Sequence, residues 1–368
     1  MALRLGTFGA PPSKRVTTAP RMSSSRPEGW PGAPSARVAY DRFMARRSEP
    51  KESRYGVSLS SLDTELAAET GVTKRALVDY LEAVAELMLP ALRGRPLSVI
   101  RSTRNQQAFM QKNLPKHAPD WVDRQSMWAE SSQRTVEYAV CNDVRTLIWF
   151  ANQRAVEYHV PLVRLDGLDA PTHLVIDLDP PEGAGFRAAA RAAHHVHAAL
   201  TELGLEAAVK ASGAKGVHIV VPIEGVTSED AGAATRGIAE RAARLDPGSL
   251  TTAFLKDDRS GRVFLDATRS GLNTVVSVYS PRLRPDVPVS WPLAWDEIDG
   301  FDPREVTVAT APDLLGQREP WTSRLPAPQR LPAGLVAEGH GIPAPRVAAM
   351  HEGKRRKAAG GSTETKQR

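Results

Sequence analysis

Apolar residues recur at helical spacing at Leu77, Leu81, Val84 and Met88, with Thr73 placed to cap the segment and Pro90 and Gly94 placed to close it. This predicts the first helix of the folded region. Period-two runs follow in TVEYAVC and AVEYHV, and between them a helix is predicted from Asn142, as its cap, through VRTLIWFANQ. HLVIDLD predicts another strand. From about Gly185 to Leu203 the positions Phe186, Ala189, Ala193, Val196, Leu200 and Leu203 share one helical face, and Gly204 stops the segment. AAVKAS and VHIVVPI predict two strands joined by a tight GAKG turn, and RVFLDAT predicts another beyond a helix at about 229–244. Strands and helices interleave, so the fold class is α/β in the broad sense that includes α+β.

The flanks differ from this body. Residues 1–55 are rich in Pro, Ser and Arg without a sustained apolar period, which predicts a disordered, basic extension. From about Leu315 the chain turns Pro-rich and ends in GKRRKAAGGSTETKQR, so residues 316–368 are predicted to be a largely disordered basic tail. The catalytic domain is then expected over 56–315. Of the net charge of +6, the two ends carry more than the whole, which leaves the body net negative. Basic ends suit a phosphate backbone but equally suit solubility, so charge alone assigns no partner.

With 41% hydrophobic residues in 368, the chain can bury a large core. The single cysteine, Cys141, excludes an intrachain disulfide and a cysteine zinc cage, in keeping with a reducing cytoplasm. No stretch has the roughly 20 apolar residues of a bilayer crossing, so no membrane association is expected.

In HLVIDLDPPEG the strand period puts Asp177 and Asp179 on one face, their α-carbons roughly 7 Å apart at a rise of ~3.3 Å per residue. Two such anions repel unless a cation sits between them. Hard oxygen donors with no nearby cysteine favour Mg²⁺ or Mn²⁺ over zinc. Asp266 ends the apolar strand RVFLDAT in the same manner, and three carboxylates suit a pair of ions roughly 3.5–4 Å apart. The alternative is that the D-x-D pair only caps a turn at Pro180 and Pro181.

KASGAKGVHIVVPI supplies what a polyphosphate needs: Gly213 and Gly216 for close backbone approach, the Ser212 hydroxyl, the Lys215 charge and His218 at the head of the next strand. The spacing is not that of a Walker loop, and an ordinary Gly-containing hairpin is the alternative.

These stretches, with RSGRVFLDATRSGLNTVVSVYSPRLRP, GVTKRALVDYLEAVAELMLPALRGRPLSVIR, AFMQKNLPKHAPDWV and VSWPLAWDEIDGFDPR, resemble the polymerase domain of bacterial ligase D, a primase-polymerase family, over about residues 56–335. The resemblance implies a primase-polymerase fold, with central mixed or antiparallel sheets flanked by helices. It implies template-directed addition of ribo- or deoxyribonucleotides to 3′ ends at gaps or breaks, in non-homologous end joining, with Mn²⁺ favoured. It further implies Asp177, Asp179 and Asp266 as metal ligands and His159 near the incoming sugar. Ser212, Lys215 and His218 then fall in the triphosphate loop, with Arg259 and Arg282 near the nucleotide. Lys74 resembles a reader of the DNA 5′-phosphate, and Phe109, Lys112 and Asn113 fall in a template-facing segment. Thr64 stands where the family commonly has a lysine, and Met110 where a second aromatic often follows Phe109. No K-x-D-G nucleotidyl-lysine motif occurs, so the expected partners are Ku and a separate ATP-dependent ligase, in the bacterial cytoplasm at the nucleoid.

Two rivals stand beside this reading. A D-x-D phosphohydrolase of the haloacid dehalogenase type requires Thr or Val where Pro181 stands. A non-catalytic nucleic-acid binder of the same fold gains nothing from concentrated negative charge facing phosphates. The HHVH cluster of His194, His195 and His197 is expected to be a solvated helix face with no carboxylate beside it. Asp257 and Asp258 are expected to be surface charges, and Cys141 buried filler.

Overall fold

In the computed structural model, which describes residues 52–66, 70–103, 107–129 and 133–344, the first helix starts where Thr73 predicts: its side chain accepts from Ala76 N at 3.3 Å. A short hairpin, β1 (Ser53–Arg54) with β2 (Val57–Ser58), precedes that helix, α1 (Lys74–Leu92). Pro90 does not end α1 but lies in its last turn, where the carbonyl four residues earlier loses only one bond. The stop comes at Gly94, whose φ of +68° places the chain in the left-handed region.

Five strands follow: β3 (Pro96–Arg101), β4 (Phe109–Gln111), β5 (Arg124–Ala129), β6 (Arg134–Val140) and, after α2 (Val144–Asn152), β7 (Ala155–Pro161). The cap of α2 is Asp143, which accepts from Thr146 N at 2.7 Å, and not the expected Asn142. Asn142 is engaged elsewhere, accepting from Gly94 N at 2.9 Å and donating to Asp123 at 2.8 Å. A small pair, β8 (Val163–Arg164) and β9 (Gly167–Pro171), leads to β10 (His173–Asp179).

Beyond β10 lie α3 (Phe186–Glu202), β11 (Ala208–Ala211), β12 (Val217–Pro222), α4 (Ser228–Leu245), β13 (Leu250–Thr251), β14 (Val263–Asp266), β15 (Thr274–Val276) and β16 (Pro292–Leu293). They complete two sheets of six strands. One runs β13-β14-β10-β12-β11-β16, all antiparallel except β13 with β14; the other runs β15-β7-β3-β6-β5, with β4 also paired to β3. Helices α3 and α4 lie against β10, β12 and β14, while α1 and α2 pack on each other beside the second sheet. Leu174, Ile176 and Leu178 are 1% exposed or less, and this burial, worth roughly 1.5–3 kcal/mol per side chain, fixes which face of β10 the aspartates must leave by.

Residues 316–344 are not the disordered tail that their prolines suggest. Trp321, in α6 (Trp321–Arg324) after the short α5 (Ala311–Leu314), is buried, and α7 (Ala333–His340) packs on α4 with Leu335 in the core. Prolines here shape connections between packed turns rather than prevent packing. The basic ends at 1–51 and 345–368 lie outside the described residues. Among the described residues no helix is long and apolar enough to cross a membrane.

Candidate functional site

Strand register builds the site. Asp177 on β10 stands opposite Asp266 on β14 and opposite His218 on β12, and His218 stands opposite Lys210 on β11. Directly opposed residues share a face, so Asp266, Asp177, His218 and Lys210 form one polar row across four strands. Asp179, two residues on, leaves β10 by the same face. All three aspartates line one cavity of about 1510 Å³, together with His159, Ser212, Lys215, His218, Arg259 and Arg282. Nine residues singled out in the sequence thus come together.

Cations hold the carboxylates. Arg269 Nη2 lies 3.1 Å from Asp266 and 3.4 Å from Asp177, while Arg259 Nη1 lies 3.4 Å from Asp179 and Lys215 Nζ 3.7 Å from it. Burial opposes ionisation of Asp177, but neighbouring His218, Arg269 and Lys210 outweigh it and hold the carboxyl below the usual range. Burial, reinforced by Lys210, pushes His218 down to about 4, so its ring is neutral near pH 7. An ionised carboxylate only accepts, so His218 donates from Nε2 to Asp177 Oδ1 at 3.3 Å, and its buried Nδ1 has no partner within the described residues.

The oxygen-only donor set and the Asp177–Asp266 register fit a hard divalent ion. In the conformation described, among the described residues, no three His, Cys, Asp or Glu side chains converge into a cage, because each aspartate is turned toward a guanidinium or ammonium. An ion would have to displace Arg269, which sequence reading missed: nothing in ATRSG announces that this arginine folds back three residues.

The loop expected to take a polyphosphate leaves no room for side chains at its two glycines. Gly213 has φ +76°, and a Cβ there would lie 2.6 Å from Arg282 Cγ and 2.7 Å from Ser290 N. A Cβ at Gly216 would lie 2.8 Å from the Leu178 carbonyl oxygen. Lys215 donates to Pro180 O at 2.6 Å, which ties the loop to the end of β10. Arg259 is pinned by the Ala253 and Phe254 carbonyls and lies 3.8 Å above the Phe264 ring.

The residues expected to face DNA separate. Met110 stands opposite Ile100, which with Ser98 shares the face of β3 that meets Glu157 and His159, and Met110 and Lys112 line the cavity. Phe109 stands opposite Arg101 on the other face, with the guanidinium 5.9 Å from its ring. Period-two alternation decides between neighbours that sequence reading had taken together. Asn113 braces the backbone, accepting from Glu137 N at 3.0 Å. Lys74 is 3% exposed and donates to the Asn152 carbonyl at 3.1 Å and side chain at 2.8 Å, away from the cavity.

Three further readings are tested by the same geometry. Two of the three histidines do have carboxylates beside them, supplied from distant sequence: His194 lies 3.1 Å from Asp299 and His195 3.7 Å from Asp246, while His197 stacks on Trp295 at 4.0 Å. Asp257 and Asp258 are exposed, and Cys141 is buried, which raises its thiol pKa.

Residues 73–321 match the family model described as LigD, primase-polymerase domain. Over 261 residues the chain is 36% identical to the multifunctional non-homologous end joining protein LigD of Mycolicibacterium smegmatis, covering 69% of this chain and 34% of that protein. It is 33% identical over 278 residues to the bifunctional non-homologous end joining protein LigD of Bacillus subtilis, covering 74% and 44% respectively. The chain therefore spans less than half the length of these relatives. Its fold is similar to that of the polymerase domain from Mycobacterium tuberculosis ligase D in complex with DNA, with a TM-score of 0.67, 32% identity and coverage of 73% of this chain and 97% of that one.

Proposed function

Because the chain belongs to the LigD primase-polymerase family, we propose that it is a template-directed nucleotidyltransferase that extends DNA 3′ ends at gaps or breaks during non-homologous end joining. The observation that carries this reading is the register that puts Asp266, Asp177 and His218 in one row beside a glycine-shaped loop on the same cavity. A D-x-D phosphohydrolase would require Thr or Val where Pro181 stands. A pure nucleic-acid binder would be weakened by the aspartates.

In this reading Asp177, Asp179 and Asp266 hold Mn²⁺ or Mg²⁺, whose charge when bound stabilises phosphoryl oxygens and favours ionisation of an attacking 3′-hydroxyl. Ser212, Lys215 and the loop amides take the triphosphate, with Arg259 and Arg282 at its sides. His218, neutral and donating to Asp177, fixes that carboxylate's orientation. His159 meets the nucleotide from the second sheet. Met110 and Lys112 lie at the template side. The reading further assigns NTP and dNTP as substrates, Ku and a separate ATP-dependent ligase as partners, and the bacterial nucleoid as the place of action.

Primer extension on gapped duplex DNA with Mn²⁺ and labelled nucleotides tests it. The parent chain is expected to add nucleotides, and the Asp177→Ala/Asp179→Ala protein to lose about 10³-fold or more. Equal activity in both would refute the assignment.

A further inference from the structure

The nucleotide-facing groups come from both sheets, and one carboxylate that lines no part of the cavity joins them. Glu157 precedes His159 by two residues on β7, so both side chains leave the same face. Its Oε2 lies 3.0 Å from His159 Nε2 and 3.0 Å from Arg282 Nε, and its Oε1 accepts from Leu283 N at 3.0 Å. Arg282 continues the chain, donating from Nη1 to the Ser212 carbonyl at 2.6 Å. A continuous path therefore runs from the imidazole of the second sheet, through Glu157 and Arg282, to the polyphosphate loop of the first.

Glu157 is 3% exposed, and such a buried anion persists only when its partners satisfy it. Burial opposes its ionisation, but His159, Arg282 and Leu283 N outweigh this and hold it at about 2. An ionised carboxylate only accepts hydrogen bonds, so the shared proton belongs to His159 Nε2. In the neutral ring the other nitrogen is then an acceptor. No hydrogen bond among the described residues engages His159 Nδ1, and the ring lines the cavity.

We propose that Glu157 is a positioning residue that holds His159 as the Nε2–H tautomer, so that Nδ1 accepts from a sugar hydroxyl of the bound nucleotide, at a span from the polyphosphate loop fixed through Arg282. This rests on the nucleotidyltransferase reading. A carboxylate suits the role because it accepts from imidazole and guanidinium at once. Glutamine has one acceptor and one donor end: with its oxygen in the Oε2 place it sets an amine against the Leu283 amide, and reversed it offers a donor to both Arg282 and His159, which favours the opposite tautomer. The sugar and the polyphosphate are thus read by groups whose separation one buried side chain sets.

The test begins with the free protein and needs no activity. In ¹⁵N-histidine-labelled protein at pH 7.5, with His159→Gln used for assignment, the His159 ring is expected to show a protonated Nε2 and an unprotonated Nδ1. A ring that is Nδ1–H or doubly protonated overturns the proposal without any variant. GTP is then expected to move the Nδ1 resonance, and no movement at saturation also overturns it. In Glu157→Gln the tautomer is expected to become mixed or reversed. Its KM for ribonucleoside triphosphates in single-nucleotide insertion is expected to rise about tenfold with kcat within about threefold, the size of one misdirected hydrogen bond. The ribo-to-deoxy ratio of kcat/KM is expected to fall, and Glu157→Asp to recover part of both. Unchanged KM and sugar ratio in Glu157→Gln would sink the idea. Should the tautomer and the GTP response appear while no nucleotide is inserted, the positioning role stands and the catalytic reading alone fails.

Discussion

Asp177 and Asp266 face each other across antiparallel strands, and the two carboxylates share the guanidinium of Arg269, at 3.4 and 3.1 Å. Two anions are held at close quarters by a cation that belongs to the chain itself. Replacing Arg269 by Ala leaves their repulsion uncompensated. The metal-free protein should melt at a lower temperature, and Mn²⁺ should bind about three- to tenfold tighter, because no internal cation competes. Titration of free Mn²⁺ by electron paramagnetic resonance reads this directly. Weaker or unchanged binding would mean that Arg269 does not compete for the carboxylates.

Gly213 sits where a side chain has no room and where φ is positive. Gly213→Ala should raise the nucleotide Kd about tenfold or more with little change in far-ultraviolet circular dichroism, since the displaced groups are Arg282 and the backbone at Val289 and Ser290. Fluorescent nucleotide binding would measure it.

Lys210 lies buried at the end of the polar row, donating to Ser290 Oγ at 2.7 Å and to the Val276 carbonyl at 3.2 Å. Burial, with Arg282 nearby, lowers it from 10.5 to about 7. Between those values the unfolded chain binds more protons than the folded one, so stability rises with pH, by at most about 1.4 kcal/mol per unit from this group. Lys210→Met should flatten the rise seen by urea unfolding between pH 7.5 and 9.5. A variant whose slope matches the parent's would show that Lys210 does not titrate there.

Met110→Ala and Lys112→Ala should each weaken binding to gapped DNA more than Phe109→Ala does, because the first two line the cavity and Phe109 lies on the opposite face of its strand. Fluorescence anisotropy at fixed salt compares them. A larger loss for Phe109→Ala would place the template on the far side of the sheet.

The strand and helix order was legible because each element carries its own period, and the aspartates were legible because three carboxylates closing two apolar strands exceed what a turn cap at Pro180 and Pro181 requires. What stayed hidden depends on register or on chain reversal. Glu157 was visible in principle, two places before His159, yet its role needs Arg282 from 125 residues further on. Arg269 announces nothing by spacing. Asn142 and Asp143 are equally good caps on paper, and only the carboxylate of Asp143 reaches the Thr146 amide. The family resemblance implies a 5′-phosphate contact for Lys74, and its ammonium is turned to the end of α2, at Asn152.

Helix α7 closes over α4 with no space to spare: a side chain at Gly339 would collide with the Ala233 carbonyl, and one at Gly237 would reach Leu335. Anyone cloning the polymerase core should therefore keep the chain through at least residue 342, whose carbonyl Arg236 binds at 3.1 Å. Trimming at 315 would uncover the face of α4, with Ala233 and Gly237, on which α7 is seated.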